Sequence, residues 1–157
     1  TVSVTAFAAE VKIGLLDMQK AIQETSAGKK AKKELDEAFN KKKKDLEKLE
    51  ADIKKKGEEF EKKSMATNEE TRNKKQIEMQ GEMRKYQELA AKSQMDIQKR
   101  ERELTQPISA KLKTVIEDVA KKDDFTMILE RSEQGVMWSK KEFDLTERIV
   151  KEFEKKK

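Results

Sequence analysis

The side chains in this sequence that could do acid–base chemistry are carboxylates and lysine amines. Its 157 residues include 32 acidic and 37 basic side chains, but no histidine and no cysteine. Thiolate nucleophiles, imidazole bases and the usual zinc sites are therefore excluded. The carboxylates alternate with lysines along polar stretches, where nothing would desolvate one of them and raise its pKa for catalysis. We expect no enzyme activity, no metal site and no cofactor.

Positive charge is the other feature that could recognise a partner. The net charge of +5 is spread through segments of mixed sign, without one basic block. A basic surface would attract an acidic partner. However, consecutive lysines such as Lys41 to Lys44 point around most of a helix, so solvated helix surface explains them as well. Aromatic residues make up only 5% of the chain, so few side chains could stack on bases and only nonspecific charge attraction to nucleic acid remains. We expect no nucleic-acid partner.

The elements that must position these side chains are predicted to be long helices. With 44% charged and 34% hydrophobic residues, the chain cannot fill one compact core of this length. Residues 29–106 instead carry a thin apolar seam, spaced alternately four and three residues apart, which indicates helix in two successive runs. The first run is Leu35, Phe39, Lys42, Leu46, Leu49, Ile53, Lys56, Phe60 and Lys63; the second is Arg72, Gln76, Met79, Met83, Tyr86, Ala90, Ser93, Ile97, Arg100 and Leu104.

The two runs are predicted to form an antiparallel hairpin over residues 29–106, with its tip near 64–68. Thr67 and Glu70 have the spacing of a capping box, which would start the second helix there. Ser26 is a predicted cap for the first helix. Pro107 is expected to kink or restart the helix and so to end the hairpin region. Two arms of nearly equal length, each about 55 Å long, would bring both ends back to one body.

Residues 9–28 and 107–157 are predicted to form that body, which gives an α+β, mainly helical fold class. Apolar alternation and turn residues indicate its elements. They are a strand at 11–15, a short helix at 18–24, a helix from Ile108, two antiparallel strands at Phe125–Glu130 and Gly135–Ser139, and a terminal helix from Asp144 with the face Leu145, Ile149, Val150 and Phe153.

The first eight residues differ from the rest because they lack charge. They end in Ala6-Phe7-Ala8, a small-x-small pattern typical of a signal-peptidase site. We expect residues 1–8 to be the remnant of a secretory signal and the protein to work in the periplasm. The alternative is an N-terminal extension or part of the first strand, since no charged n-region precedes them in this sequence.

The ordered set of elements resembles the periplasmic chaperones of the Skp, or OmpH-like, family. The resemblance lies in VKIGLLDMQKAIQET from Val11, the Lys- and Glu-rich arms, VIEDVAKKDDFTMILE from Val115, and GVMWSKKEFDLTERIVKEF from Gly135. It covers nearly all of the chain after Glu10. Pro107 departs from the family pattern.

The resemblance implies a homotrimer in which the strands of three bodies form one β core and the helical hairpins surround a cavity. Three strands from one chain are too few for independent stability, which fits such an assembly. The implied function is ATP-independent holding of unfolded outer-membrane proteins. The residues expected in the trimer core are Val11, Ile13, Leu15, Ile128, Leu129, Val136 and Trp138. A monomeric sheet packed on the Ile108 helix remains the alternative role for them.

Methionines are the predicted client contacts under this function, because a flexible thioether adapts to varied partners. Met65 at the tip and Met95 off the seam are the better candidates; Met79 and Met83 lie in the seam, where ordinary packing also explains them. Lipopolysaccharide or an anionic membrane surface is a further expected partner. The lipopolysaccharide contacts would be Lys99, Arg100 and Arg102, for which solvated surface is the alternative explanation.

Two other interpretations of the sequence stay open. A cytosolic prefoldin-like chaperone subunit would also mount helical hairpins on a strand-built body, but the export-like N-terminus disfavours it. A structural or adaptor coiled coil would form one long rod, which the predicted central cap and the arms of equal length disfavour.

Overall fold

The computed structural model describes residues 11–64, 66–132 and 135–156. The predicted signal remnant at residues 1–8 and the predicted client contact Met65 lie outside the described residues. The elements in chain order are β1 (Ile13–Leu16), α1 (Met18–Glu24), α2 (Ser26–Ser64), α3 (Glu69–Lys122), β2 (Met127–Glu130), a 3-10 turn (Lys141–Phe143) and α4 (Thr146–Lys155). The predicted mainly helical α+β fold is confirmed. None of the helices in the described part of the chain combines the length and apolar content that crossing a membrane requires.

Two compact units divide the chain. The body unit comprises the described residues up to Lys32 together with those from Leu104 onward, and the hairpin unit comprises Lys33–Glu103. Both α2 and α3 contribute to each unit, because their bounds cross these limits.

The sheet of the body unit has two parallel strands. β1 pairs with β2 in the register Ile13 with Met127 through Leu16 with Glu130. The predicted antiparallel strand pair of 125–130 and 135–139 is therefore wrong: β2 takes β1 as its partner, and among the described residues from Gly135 to Ser139 no strand forms. The predicted strand at 11–15 with one buried face is also only partly right. Leu15 and Leu16 are both buried, whereas Val11 lies outside the strand and is 61% exposed.

The start of α2 is capped by a residue other than the predicted one. Thr25 accepts a hydrogen bond at Oγ1 from the Gly28 amide at 3.0 Å, while Ser26 is already helical. A β-carbon at Gly28 would lie 1.7 Å from the carbonyl oxygen of Ile22, so the close passage of this backbone requires glycine. The predicted Ser26 cap is wrong because the Ser26 side chain and amide bind the Glu154 carboxylate of α4 instead.

The start of α3 shows a similar one-residue shift. Asn68 accepts a hydrogen bond at Oδ1 from the Thr71 amide at 2.9 Å, which makes Asn68 the cap. The predicted cap, Thr67, instead donates its hydroxyl to the Lys63 carbonyl at the end of α2. The helix break near 64–68 is confirmed, but the capping box at Thr67 is wrong.

Pro107 lies inside α3, so the prediction that the helix restarts there is wrong, while the alternative prediction of a kink stays a prediction. Proline removes one amide donor and crowds the carbonyl four residues earlier, which costs a helix stability without making it impossible. The helix continues because Ile108, Leu112 and Val115 directly after it are buried in the body unit. Asp124, with a φ of 54°, then turns the chain after α3 ends.

The core of the body unit is formed by α3 and α4 with the strand and short helix at the start of the chain. Leu112 and Ile149 have no exposed surface, and Leu16, Ala21 and Phe153 pack in the same cluster. The predicted apolar face of the terminal helix is confirmed.

Candidate functional site

The hairpin unit has only a thin buried seam. Of its seam residues, Ile53 and Ser93 are buried, and most of the others, such as Leu46 and Tyr86, are half-buried. Phe39, predicted in the seam, is exposed. Most side chains of this unit are therefore accessible to a partner.

Ion pairs among the described residues join α2 to α3 across the seam. Lys42 binds Asp96 at 2.7 Å and Lys56 binds Glu82 at 3.0 Å, and a further pair is Glu34 with Arg100, also at 3.0 Å. Their numbering rises on α2 as it falls on α3, so the helices run antiparallel. The hydrogen bond from Lys42 is the main cause of a lowered pKa at Asp96. Exposed pairs of this kind stabilise little, so they define the register more than the stability.

A groove of about 530 Å³ runs along one side of the seam between α2 and α3. We call it the mid-hairpin groove. Ser93 is its most deeply buried residue, and apolar or aromatic side chains make up much of its wall. Those residues are Phe39, Leu46, Tyr86, Ala90 and Ile97.

The predicted client contacts do not meet in this groove. Met83 and Met95 are exposed on α3 and line no part of it. Met79 is half-buried and lines a smaller cavity of about 270 Å³ that also includes Phe60, nearer the tip. The role of these methionines stays a prediction.

Phe39, Tyr86 and Ile77 of the hairpin unit were not among the predicted client contacts. Phe39 and Tyr86 entered only as seam positions, and Ile77, which is 69% exposed, was not considered. The sequence did contain a signal for the groove, because the small residues Ala90 and Ser93 belong to the same seam as the aromatic residues Phe39 and Tyr86. Small side chains beside large ones leave space on one side of a helix pair.

The predicted lipopolysaccharide residues lie beside acidic partners. Arg100 contacts Glu34 at 3.0 Å and Glu103 at 3.6 Å, and Lys99 lies 3.9 Å from Glu103. Arg102 is exposed. A phosphate group would have to compete with these carboxylates, and the lipopolysaccharide role stays a prediction.

In the body unit, the predicted trimer-core residues fall into three groups by burial. Leu15 is buried within its own chain, which matches the alternative role given above. Trp138 is 79% exposed, and Val11 and Leu129 are also exposed. The remaining three, Ile13, Ile128 and Val136, are half-buried. Within one chain, most of the predicted trimer-core residues therefore remain at least partly accessible to solvent.

The described residues contain no cluster of three or more side chains that could ligate a metal ion. Within the same residues, every buried side-chain polar atom has a hydrogen-bond partner.

Comparisons with known proteins match the chain to a protein family and to a solved structure with a similar fold. A family model described as Outer membrane protein (OmpH-like) matches residues 12–153. A crystal structure from Caulobacter crescentus CB15, described as a candidate outer membrane chaperone (OmpH-like), has a similar fold, with a TM-score of 0.77. Sequence identity is 15%, and the alignment covers 99% of this chain and 91% of that chain. No curated protein matches the sequence.

Proposed function

The chain belongs to the OmpH-like outer membrane protein family, and on that premise we propose that it is an ATP-independent holdase chaperone of the periplasm. Its clients are unfolded outer-membrane proteins, whose aggregation it prevents. The structurally similar Caulobacter protein is described as a chaperone, which supports a binding role without enzyme activity. The family assignment also disfavours the prefoldin-like alternative, and the antiparallel ion pairs disfavour a single rod.

Exposed apolar side chains on a highly charged hairpin are the observation that carries this proposal. Phe39, Ile77, Met83 and Met95 each leave much of their surface in water. Single exposed apolar residues are common on proteins, but several on one slender unit offer separate weak contacts to a long chain. Together these contacts hold a client firmly, while each one releases easily.

Assembly is the second part of the proposal. Three copies combine through their sheets, and the hairpins of the trimer enclose the client cavity. A two-stranded sheet has unpaired edges and is weak alone. Leu129 in β2, Val11 just before β1 and Trp138 are exposed within one chain, which supports a shared core. Leu15 stabilises each chain from within.

Lipopolysaccharide or an anionic membrane surface is retained as a partner of Lys99, Arg100 and Arg102. Phosphates form strong hydrogen bonds with such side chains. The neighbouring Glu34 and Glu103 make this the weaker part of the proposal.

The test is suppression of aggregation of a denatured outer-membrane β-barrel protein, followed by light scattering without nucleotide. The wild-type protein in several-fold excess should keep the barrel protein dispersed. A variant with serine at Ile77, Met83 and Met95 should require a higher concentration for the same effect. The matched control places serine at three exposed glutamines of the same helix: Gln76, Gln80 and Gln87. No suppression by the wild type would overturn the proposal.

A further inference from the structure

The mid-hairpin groove has the length of a short extended peptide. On α2 its lining runs from Phe39 to Glu50, and on α3 from Tyr86 to Gln98. The eleven steps from Phe39 to Glu50 rise about 16 Å along the helix, which is the length of about five residues of extended chain.

The apolar positions of the groove recur along that length. Because α2 and α3 are antiparallel, Phe39 and Ile97 lie at one end, Leu46 and Ala90 near the middle, and Tyr86 towards the other end. In an extended chain, alternate side chains point to the same face, and three of them span about 13 Å. The spacing therefore fits a segment whose alternate side chains are apolar.

The charges that line the groove balance. Lys42 and Lys43 are matched by Glu47 and Glu50, and Lys43 lies 3.7 Å from Glu47. Lys42 is also bound to Asp96 across the seam. An uncharged segment would lose less solvation here than an acidic or basic one, since no net charge in the groove compensates it.

The polar rim on α3 consists of amides. Gln94 and Gln98 both line the groove, and each amide offers two donors and one acceptor. An extended segment has unpaired backbone N–H and C=O groups that match such amides, whereas a helix satisfies its own. The rim thus favours an extended occupant over a helical one.

We propose that the mid-hairpin groove binds an uncharged, extended segment of about five residues with alternating apolar side chains. Such segments are typical of the strands of transmembrane β-barrels. The inference rests on the proposed function and specifies which part of a client the hairpin recognises. The apolar side chains lie against Ala90 and Leu46, and the backbone hydrogen-bonds with Gln94 and Gln98.

The experiment measures binding of labelled peptides to the full chain by fluorescence anisotropy. The main probe is a fluorescein-labelled peptide about seven residues long in which leucine and serine alternate. One comparison peptide has the same composition with its leucines in one block, and another replaces the serines with glutamates. The alternating peptide should bind most tightly, and equal binding of all three would overturn the inference.

Two pairs of variants locate the binding. Ala90→Phe fills the groove and should weaken binding of the alternating peptide about tenfold, because two or more apolar groups lose their buried contacts. Ala91→Phe, one residue along on the exposed surface, is its matched control. Phe39→Ala should also weaken binding, whereas Asn40→Ala, which changes the next, exposed residue of α2 outside the groove, should not. Circular dichroism verifies that each variant keeps its helices.

The outcomes separate this inference from the proposed function. If Ala90→Phe and Phe39→Ala bind the peptide as their controls do while the wild type still suppresses aggregation, the groove assignment is wrong and the holdase function stands. If the wild type suppresses no aggregation, the holdase function is wrong whatever the peptides do.

Discussion

Replacing Ile149 with alanine would remove three carbon atoms from the most buried part of the body unit. Ile149 has no exposed surface and packs with Leu112 and Val115 of α3. Each buried methyl or methylene contributes about 0.8 kcal/mol, so three contribute about 2.4 kcal/mol. The cavity left behind adds to this loss, and comparable core substitutions cost about 2 to 5 kcal/mol. We expect the free energy of unfolding to fall by about 3 kcal/mol.

Urea unfolding followed by circular dichroism measures this loss. All samples need the same protein concentration, because assembly would add concentration-dependent stability. Ile77→Ala is the matched control: the same atoms are removed from a side chain that is 69% exposed. Its free energy of unfolding should change by less than about 0.5 kcal/mol, because little buried area is lost and alanine favours helix. Equal losses in the two variants would refute the assignment of the core.

Three further substitutions test separate features. Glu154 accepts hydrogen bonds from the Ser26 hydroxyl at 2.7 Å and amide at 2.6 Å, and chiefly the hydroxyl bond holds the pKa of Glu154 below its usual 4.5. A carboxyl with a lowered folded-state pKa stabilises above its unfolded pKa and loses that effect as the pH falls through the folded value. Glu154→Gln should therefore melt at a lower temperature than wild type at pH 7, and the difference should shrink as the pH falls below 4.5; a pH-independent difference would contradict this. Trp138→Asp should lower the mass measured by light scattering without loss of helix, and an unchanged mass would argue against its place in the trimer core. Pro107→Ala should raise the free energy of unfolding by about 1 to 3 kcal/mol in urea titrations, because it restores an amide donor and removes the ring clash; a lower stability would mean that the proline is required.

Long-range partners are the part of the fold that the sequence pattern could not supply. The stretch at 125–130 was correctly expected to be a strand, but its partner is β1, more than a hundred residues earlier. Apolar alternation indicates that a strand has a buried face without indicating which strand lies beside it. A turn-like segment at 132–135 made the neighbouring residues the expected partner, and the structure shows otherwise.

The sequence predicted the type of side chain expected at the candidate site, but not the position of the groove. Met95 was expected off the seam and is exposed, whereas Met83 was expected in the seam and is exposed as well; their role as contacts stays a prediction. The mid-hairpin groove is lined by residues of both helices, among them Phe39, Tyr86 and Ala90, and only the register of the two helices brings these residues to one groove. Residue spacing on one helix carries no information about that register.

The sequence by itself determined the types of element and the excluded chemistry. Seam spacing indicates helix, and without cysteine or histidine the chain lacks the commonest nucleophiles and bases. These properties are local, so residue order alone defines them. Only the tertiary structure decided that Thr25 and Asn68 cap the long helices and that α3 continues through Pro107. The physical reason is that alternative cap residues, or a helix with and without an internal proline, differ in free energy by only a few kcal/mol. Burial of residues elsewhere in the chain contributes more than that difference.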